Sequence, residues 1–452
     1  MSSETTKLDD SVIAEIKHLI WESSLKDEVF NRWTQGFVFS EHEPTALVQH
    51  NGGPCAVIAP VQGFLLCNAL FSENAREDLS TVSGEEAREY LVQALGDILV
   101  QVSSGSFYVL SLDQPESQTH GAADEEQGPE EENAAKKPDT GESSCKRQRL
   151  DQESFHFQIR CTKCEDEESM RTNLKSKMDD FQNNNGVLLY LYSLVLTKGL
   201  EQIKNEVEDP GQPLIDGIHG HGSQGLINLM ITGKAVNNVW DNDKDVSGLK
   251  LHGIPRQAVI GFLTYMEHLR YCEVGWYLKN PKYPIWLLAS ETHITVLFSR
   301  EKSLVVTETP QSSARQVFQR FDPEGNGFIS TSLLGDLMST LDLVSEKEYV
   351  DIMKEKLDAE NLGIITLSSF MEEFYPGDTR QEVPEAIKLY HYNGIPRSCL
   401  NNKVKYISGT ATLQDELEVQ IITDVSPIKL CLMTKWPTID LQWEGNHIPS
   451  LN

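Results

Sequence analysis

The sequence lacks the patterns that mark several large classes of protein. No phosphate-binding loop, nucleotide fingerprint or metal-ligand cluster stands out, so we expect no cofactor. No uninterrupted apolar run is long enough to cross a membrane, and the first ten residues are polar, unlike a secretory signal. We therefore expect a soluble intracellular protein of the nucleus, the cytoplasm or both, with no membrane partner.

Positive charge is also scarce. The 452 residues include 39 Lys and Arg against 68 Asp and Glu, which gives a net charge of −29. Such a surface repels nucleic acid and anionic membranes, and it suits a partner with a basic face. The length allows a large core or two to three domains.

The eight cysteines are scattered, so we expect reduced thiols. The one close pair is Cys161 and Cys164, with His156 as the nearby candidate for a further ligand. A zinc site needs more ligands and a redox pair needs a βαβ setting, so a structural pair is favoured and a redox or zinc protein is the alternative. The His-x-His spacing of His219 and His221 could serve a metal, but these two histidines rank below the other candidates.

One long segment is almost free of apolar residues. Between Asp113 and Glu153, acidic runs alternate with Gly, Pro, Ser and Gln. Such a composition cannot bury a core, so we predict a disordered acidic insert at 113–153. The basic residues at 136–137 and 146–149 are compatible with a nuclear import signal, although short basic clusters also occur by chance.

Elsewhere, hydrophobic periodicity predicts a mixture of helices and strands. The predicted helices are 12–21, 86–100, 223–230 and 258–270, and the predicted strands are 32–39, 106–112, 284–288 and 293–298. The apolar run 186–196 fits either element. Buried helices followed by later strands favour the α+β class.

A candidate nucleophile lies in the run Gln49-His50-Asn51-Gly52-Gly53-Pro54-Cys55. Glycines followed by a proline at the first helical position indicate a helix start. Cys55 would then lie in the first turn, where backbone N–H groups and the helix dipole favour a thiolate. Gln49, six residues earlier, could donate to an oxyanion. The simpler interpretation is an inert core thiol, because cysteine is among the most buried residue types.

A catalytic cysteine also needs a base, and His293 is the best candidate. It lies at the start of the predicted strand 293–298, after the turn Ser290-Glu291-Thr292. A neutral imidazole there could accept a thiol proton and later protonate a leaving amine. The alternative is that His293 has a purely structural role. As candidates for the base, His219 and His221 rank below His293.

These segments resemble the MINDY family of deubiquitinases. The resemblance rests on Gln49 to Cys55, on 226–241 with its run 232–240, on Glu291-Thr292-His293, and on 32–39 and 434–437. It implies a papain-like cysteine isopeptidase in which Cys55 is the nucleophile, His293 the general base and Gln49 the oxyanion residue. It also implies polyubiquitin of the linkage that signals proteasomal degradation as the substrate. The sequence identifies no residue that orients the imidazole.

The match is closest to the branch of the family with an EF-hand-like insertion. Asp322 to Ser330 fits the first nine positions of a calcium loop, and a second loop starts at Asp358, 36 residues later. Leu333 and Ser369 occupy the twelfth positions, where a bidentate glutamate is needed. We therefore expect an EF-hand-like fold without calcium, with a structural or partner-binding role.

The resulting division of the chain has five parts. They are a first catalytic part at 1–112, the acidic insert at 113–153, a second catalytic part at 154–310, the EF-hand-like module at 311–378, and a β-rich segment at 379–452 that we expect to complete the catalytic sheet. The alternative function is a catalytically silent adaptor of the ubiquitin pathway that binds partners through the EF-hand-like module.

Overall fold

The computed structural model describes most of the chain. The described residues are 5–21, 25–113, 149–246, 248–305, 310–322, 326–376, 384, 386–413 and 425–452. Most of the predicted acidic insert and most of its basic cluster lie outside these residues. The import signal and the disordered insert therefore remain predictions.

Most of the helices come before residue 233. In chain order they are α1 (Asp10–Ile20), α2 (Asp27–Trp33), α3 (Cys55–Phe71), α4 (Gly84–Val102), α5 (Gln152–Gln158), α6 (Glu167–Ser176), α7 (Met178–Gln182), α8 (Gly186–Lys198), α9 (Leu200–Glu206) and α10 (Gln224–Thr232). Local signals set the ends of several helices. Ser83 and Glu86 form a reciprocal capping box at α4, and Gly233 ends α10 in the left-handed conformation with φ 75°.

The later part of the chain contains the shorter helices α11 (Tyr265–His268), α12 (Trp276–Lys279), α13 (Pro310–Phe321), α14 (Leu334–Thr340), α15 (Lys347–Leu357), α16 (Leu367–Phe374) and α17 (Pro427–Met433). The strands are β1 (Thr5–Lys7), β2 (Val38–Phe39), β3 (Leu47–Val48), β4 (Phe107–Leu112), β5 (Ile159–Cys164), β6 (Lys244–Val246), β7 (Leu249–Leu251), β8 (Gly261–Thr264), β9 (Ile285–Ala289), β10 (Ile294–Ser299), β11 (Phe328–Ser330), β12 (Ile364–Thr366), β13 (Ala386–Tyr392), β14 (Ile407–Leu413) and β15 (Ile439–Trp443). This arrangement confirms the α+β class.

The largest sheet has six strands in the order β15-β14-β13-β10-β9-β8. Only β8 and β9 are parallel, and the other neighbours are antiparallel. The strands β13, β14 and β15, which come from the C-terminal segment, therefore continue the sheet that contains β10. Because β13 runs antiparallel to β10, the end of β13 lies near the start of β10.

Helix α3 joins the helical layer to this sheet. It packs against α4 and α10 on one side and against β9 and β10 on the other. Almost all of its residues are buried, which explains why it is apolar all round rather than on one face. A side chain at Gly63 would approach within 2.6 Å of Ile260 Cδ1, so glycine permits the close packing there. The N-terminus of α3 is thereby held beside the start of β10.

Residues 310–376 have a small core of their own. The helices α13 to α16 surround the short antiparallel pair β11 and β12, and Phe318, Ile329, Ile365 and Phe370 are buried among them. The first residue of each predicted loop binds loop amides, since Asp322 accepts hydrogen bonds from Asn326 and Gly327, and Asp358 from Leu362 and Gly363. Part of the first loop, 323–325, lies outside the described residues.

Two of the predicted elements are wrong. Arg32 and Trp33 end helix α2, and the predicted strand 32–39 shrinks to Val38–Phe39, because Trp33 is buried in the helical core. The predicted helix 258–270 is instead strand β8 followed by the short helix α11, because residues 261–264 pair with β9. The open case, 186–196, is helix α8. None of the helices in the described ranges is long and apolar enough to cross a membrane.

Candidate active site

Cys55 is the first residue of α3. Pro54, predicted at the first helical position, is the residue just before the helix. Gly53 has φ 124°, which is accessible to glycine, and a Cβ there would lie 2.9 Å from the carbonyl oxygen of Gly220. We call residues 49–55 the cysteine loop. Gly53 lets the backbone of this loop pass close to the backbone of Gly220. The loop leads directly into the buried helix α3, which begins at Cys55.

The thiol of Cys55 is 4% exposed, and it donates a hydrogen bond to the carbonyl oxygen of Gly53 at 3.7 Å. Burial raises the pKa of Cys55 to about 11, while the backbone N–H groups of Ile294, Ala56 and Cys55 itself oppose this effect. The group is therefore a neutral thiol at pH 7. The three N–H groups lie where they would stabilise a thiolate once it forms.

His293 lies directly before β10 and is 5% exposed. Its backbone N–H donates to the Ser290 hydroxyl at 3.1 Å, which fixes the turn. The pKa of His293 is lowered to about 4, chiefly by burial; the charges of Arg397 and His221 act in the same direction, and a hydrogen bond to Asn393 opposes them. At pH 7 the imidazole is neutral and can accept a proton.

The structure places Cys55 and His293 at one junction. Ile294, the neighbour of His293, directs its N–H at the Cys55 sulfur. Among the contacts of the described residues, no hydrogen bond joins the sulfur to the imidazole, since the thiol donates to Gly53. Both groups are neutral in this arrangement, with the thiol bonded to Gly53 and the imidazole bonded to Asn393.

Gln49 is 2% exposed and lies six residues before Cys55 in the cysteine loop. Its backbone N–H donates to the carbonyl oxygen of Gly394 at 2.8 Å, and its side-chain Nε2 donates to that of Asn51 at 2.9 Å. One of the two amide hydrogens remains for a further acceptor. Gln35, which the sequence did not single out, steadies the loop because its Oε1 accepts from the N–H of His50 at 2.7 Å.

A residue that sequence reasoning missed is Asn393. It follows β13, and its Oδ1 lies 3.1 Å from Nε2 of His293 across 100 positions of sequence. No local pattern marks it, since only the pairing of β13 with β10 brings it to the site. His293, Asn393 and residues 450–452, which contact Asn393, together form what we call the histidine corner.

An open cavity of about 700 Å³ lies over this junction. Its lining residues are Arg32, His50, Asn51, Gly52, His221, Thr292, His293, Ile395, Arg397, Ser398 and Asn452. The lining contains two arginines and three histidines and, among the described residues, no carboxylate side chain. The mouth of the cavity therefore carries the charges of Arg32 and Arg397 in a chain whose overall charge is −29.

The other candidate residues have structural contacts. The rings of His219 and His221 stack at 6.0 Å, and the backbone of their loop accepts hydrogen bonds from Arg32 and from the indole of Trp33. Cys161 and Cys164 are free thiols in β5. Throughout the described ranges, no three His, Cys, Asp or Glu side chains come together as a metal site.

The chain matches the family model described as "Deubiquitinating enzyme MINDY-3/4, conserved domain" over residues 17–319. It is similar to ubiquitin carboxyl-terminal hydrolase MINDY-3 of Homo sapiens, with 48% identity over 97% of this chain and 99% of the human protein. The chain belongs to the MINDY family. The predictions of the family and of a hydrolase are thereby confirmed.

More distant relatives show the same affiliation. The MINDY-3 homolog of Drosophila melanogaster is 42% identical over 97% of this chain and 83% of the fly protein. The probable ubiquitin carboxyl-terminal hydrolase MINDY-4 of Homo sapiens is 30% identical over 68% of this chain and 38% of that protein. The family model ends before β13, so Asn393 lies outside the matched stretch.

Proposed function

We propose that this chain is a cysteine-type deubiquitinase that hydrolyses isopeptide bonds in polyubiquitin. Membership of a family of deubiquitinating enzymes supports the substrate class. The observation that supports the catalytic assignment is the contact between the Cys55 sulfur, at the N-terminus of α3, and the backbone N–H of Ile294, the residue after His293.

In the proposed reaction, Nδ1 of His293 accepts the proton of Cys55 while the sulfur attacks the carbonyl carbon of the ubiquitin C-terminal glycine. The Cys55 N–H and the remaining amide hydrogen of Gln49 stabilise the oxyanion. The imidazolium then protonates the leaving lysine amine, and a thioester forms. Water, deprotonated by His293, hydrolyses the thioester and regenerates the thiol.

A cleavage assay tests this function. Long polyubiquitin chains incubated with the protein should shorten, and Cys55→Ala should abolish the cleavage. Cys67→Ala is a matched control, because it removes a thiol from the same helix and should leave the rate within about twofold. Folded protein that cleaves no chain, or Cys55→Ala that cleaves at the wild-type rate, would contradict the proposal.

We also propose that the degradation-signal linkage is preferred. The support is the resemblance to the family in the cysteine loop and the His293 strand. Tetraubiquitin chains of each homotypic linkage, compared at equal concentration, measure the preference. Equal rates for all linkages would refute it without affecting the catalytic assignment.

Residues 310–376 support a further role, an EF-hand-like docking module that works without calcium. Each loop has an aspartate that holds loop amides, and β11 pairs with β12, as in paired EF-hands. The twelfth positions, Leu333 and Ser369, offer no carboxylate. Calcium should therefore leave the melting temperature unchanged. If the protein is instead a catalytically silent adaptor, this module binds partners and Cys55→Ala leaves the function unchanged. The cleavage assay distinguishes the silent adaptor from the deubiquitinase.

A further inference from the structure

Asn393 has its side-chain amide fully engaged although it lies in no described strand or helix. The residue is 4% exposed. Its Oδ1 accepts the backbone N–H of Ile395 at 3.0 Å, and its Nδ2 donates to the carbonyl oxygens of Ser450 and Asn452 at 3.1 and 3.3 Å. These three bonds fix which end of the amide faces the imidazole.

The orientation of Asn393 determines the tautomer of His293. Oδ1 is an acceptor only, and it lies 3.1 Å from Nε2 of His293, so Nε2 must carry the hydrogen. The lone pair of the neutral ring is then on Nδ1, the atom that must accept the Cys55 proton. A flipped amide would present Nδ2 to the ring and stabilise the wrong tautomer, and the carbonyls of Ser450 and Asn452 prevent that flip.

Residues 450–452 also hold the turn that carries His293. The Asn452 Oδ1 accepts hydrogen bonds from the hydroxyls of Ser290 at 2.5 Å and Thr292 at 3.4 Å. Leu451 is 3% exposed in the core on the outer side of the large sheet, and it anchors the segment. One short segment therefore contacts both Asn393 and the turn before His293.

We propose that Asn393 is the positioning residue for the base, and that residues 450–452 hold Asn393 in the working orientation. The proposal rests on the proposed function, because the tautomer matters only if His293 accepts the Cys55 proton. If it is correct, the pairing of β13 with β10 and the segment 450–452 are both part of the scaffold that positions His293.

Substitution of Asn393 tests the role through kinetics. Asn393→Ala should lower kcat roughly 10- to 100-fold with KM within about twofold, because substrate contacts remain and the imidazole loses its orientation. Asn393→Asp keeps the acceptor and adds a negative charge. It should retain more activity than Asn393→Ala, and it should move the acidic limb of the kcat/KM profile to higher pH, against the opposing charges of Arg397 and His221.

A spectroscopic readout separates this proposal from the proposed function. Long-range ¹H–¹⁵N spectra of the Cys55→Ala protein, with the His293 signal assigned by comparison with His293→Gln, report the tautomer directly. We expect the Nε2–H form, and a mixture of tautomers after Asn393→Ala. An Nδ1–H form in the parent protein would overturn the proposal whether or not the chain cleaves ubiquitin. Absence of cleavage with the Nε2–H form intact would contradict the function alone.

Removal of residues 450–452 tests whether this segment holds Asn393 in its working orientation. The deletion should lower kcat by less than Asn393→Ala, since Asn393 keeps its bond to Ile395. In the Asn393→Ala background the same deletion should lower kcat by a smaller factor than it does in the wild-type protein, because only its contacts with the turn before His293 remain to be lost. Ile448→Ala, at an exposed neighbouring position, is the control. Independent effects of the two changes, or kcat within twofold after Asn393→Ala, would overturn the proposal.

Discussion

The cysteine loop and the histidine corner form one junction, but they are built in different ways. In the cysteine loop, the side-chain hydrogen bonds of Gln49 to Asn51 and of Cys55 to Gly53 each join residues two positions apart. In the histidine corner, the partners are 100 and 57 positions apart along the chain. A local motif can therefore be read from sequence, whereas an assembled one depends on strand pairing.

The largest effect should come from replacing His293, the imidazole of the histidine corner. His293→Gln keeps a polar side chain of similar reach but cannot shuttle a proton, so kcat/KM should fall roughly 10³-fold or more. His219→Gln, on the loop beside the cavity, is the matched control and should stay within about threefold. A His293→Gln enzyme with near wild-type kcat/KM would remove the histidine corner from the mechanism.

In the cysteine loop, Gln49→Ala should lower kcat roughly 10²-fold, the usual cost of losing one oxyanion donor. Gln35→Ala should cost less, because it only loosens the backbone of His50 and Asn51. Steady-state kinetics on one chain substrate gives both values. If Gln35→Ala lowers kcat more than Gln49→Ala does, the cysteine loop contributes to catalysis through its backbone geometry rather than through oxyanion binding by Gln49.

The pH dependence of stability should report the histidine corner. The pKa of His293 falls from 6.5 to about 4 in the folded protein, so the unfolded chain binds more protons between these values. The contribution of His293 to the free energy of unfolding should be fully present above pH 6.5. It should be lost as the pH falls to 4, which lowers the free energy of unfolding by roughly 3 kcal/mol for this residue alone. His391 and His156, with pKa values lowered by burial to about 3 and about 4, add to the same trend.

Chemical denaturation at several pH values measures this slope. His293→Gln should flatten it, and His42→Gln, at an exposed position, should not. An unchanged slope in His293→Gln would mean that the imidazole is not buried in the neutral form.

The smallest effect is expected at the other cysteines. Cys161→Ser and Cys164→Ser change thiols in β5, a strand of a different sheet from β10, so kcat/KM should stay within about twofold. Loss of activity together with bound zinc in the wild-type protein would favour the redox or zinc alternative.

The same contrast explains what the sequence could predict. The helix start at Cys55 and the helices α4 and α10 depend on neighbouring residues, and all three were predicted, α4 as 86–100 and α10 as 223–230. Residues 261–264 were predicted as helix because their apolar spacing is ambiguous until β9 lies beside them. Asn393 was missed because its role arises only from the return of β13 to β10. Hydrophobic periodicity therefore does not predict which strands pair when they are far apart in the sequence.

The most direct test of the catalytic junction is labelling with ubiquitin that carries a C-terminal electrophile. Intact mass and peptide mapping should show one ubiquitin attached at Cys55, and His293→Gln should slow the labelling roughly 100-fold or more. Attachment at another cysteine, or labelling of Cys55 at the same rate without His293, would contradict a mechanism in which the two residues act together.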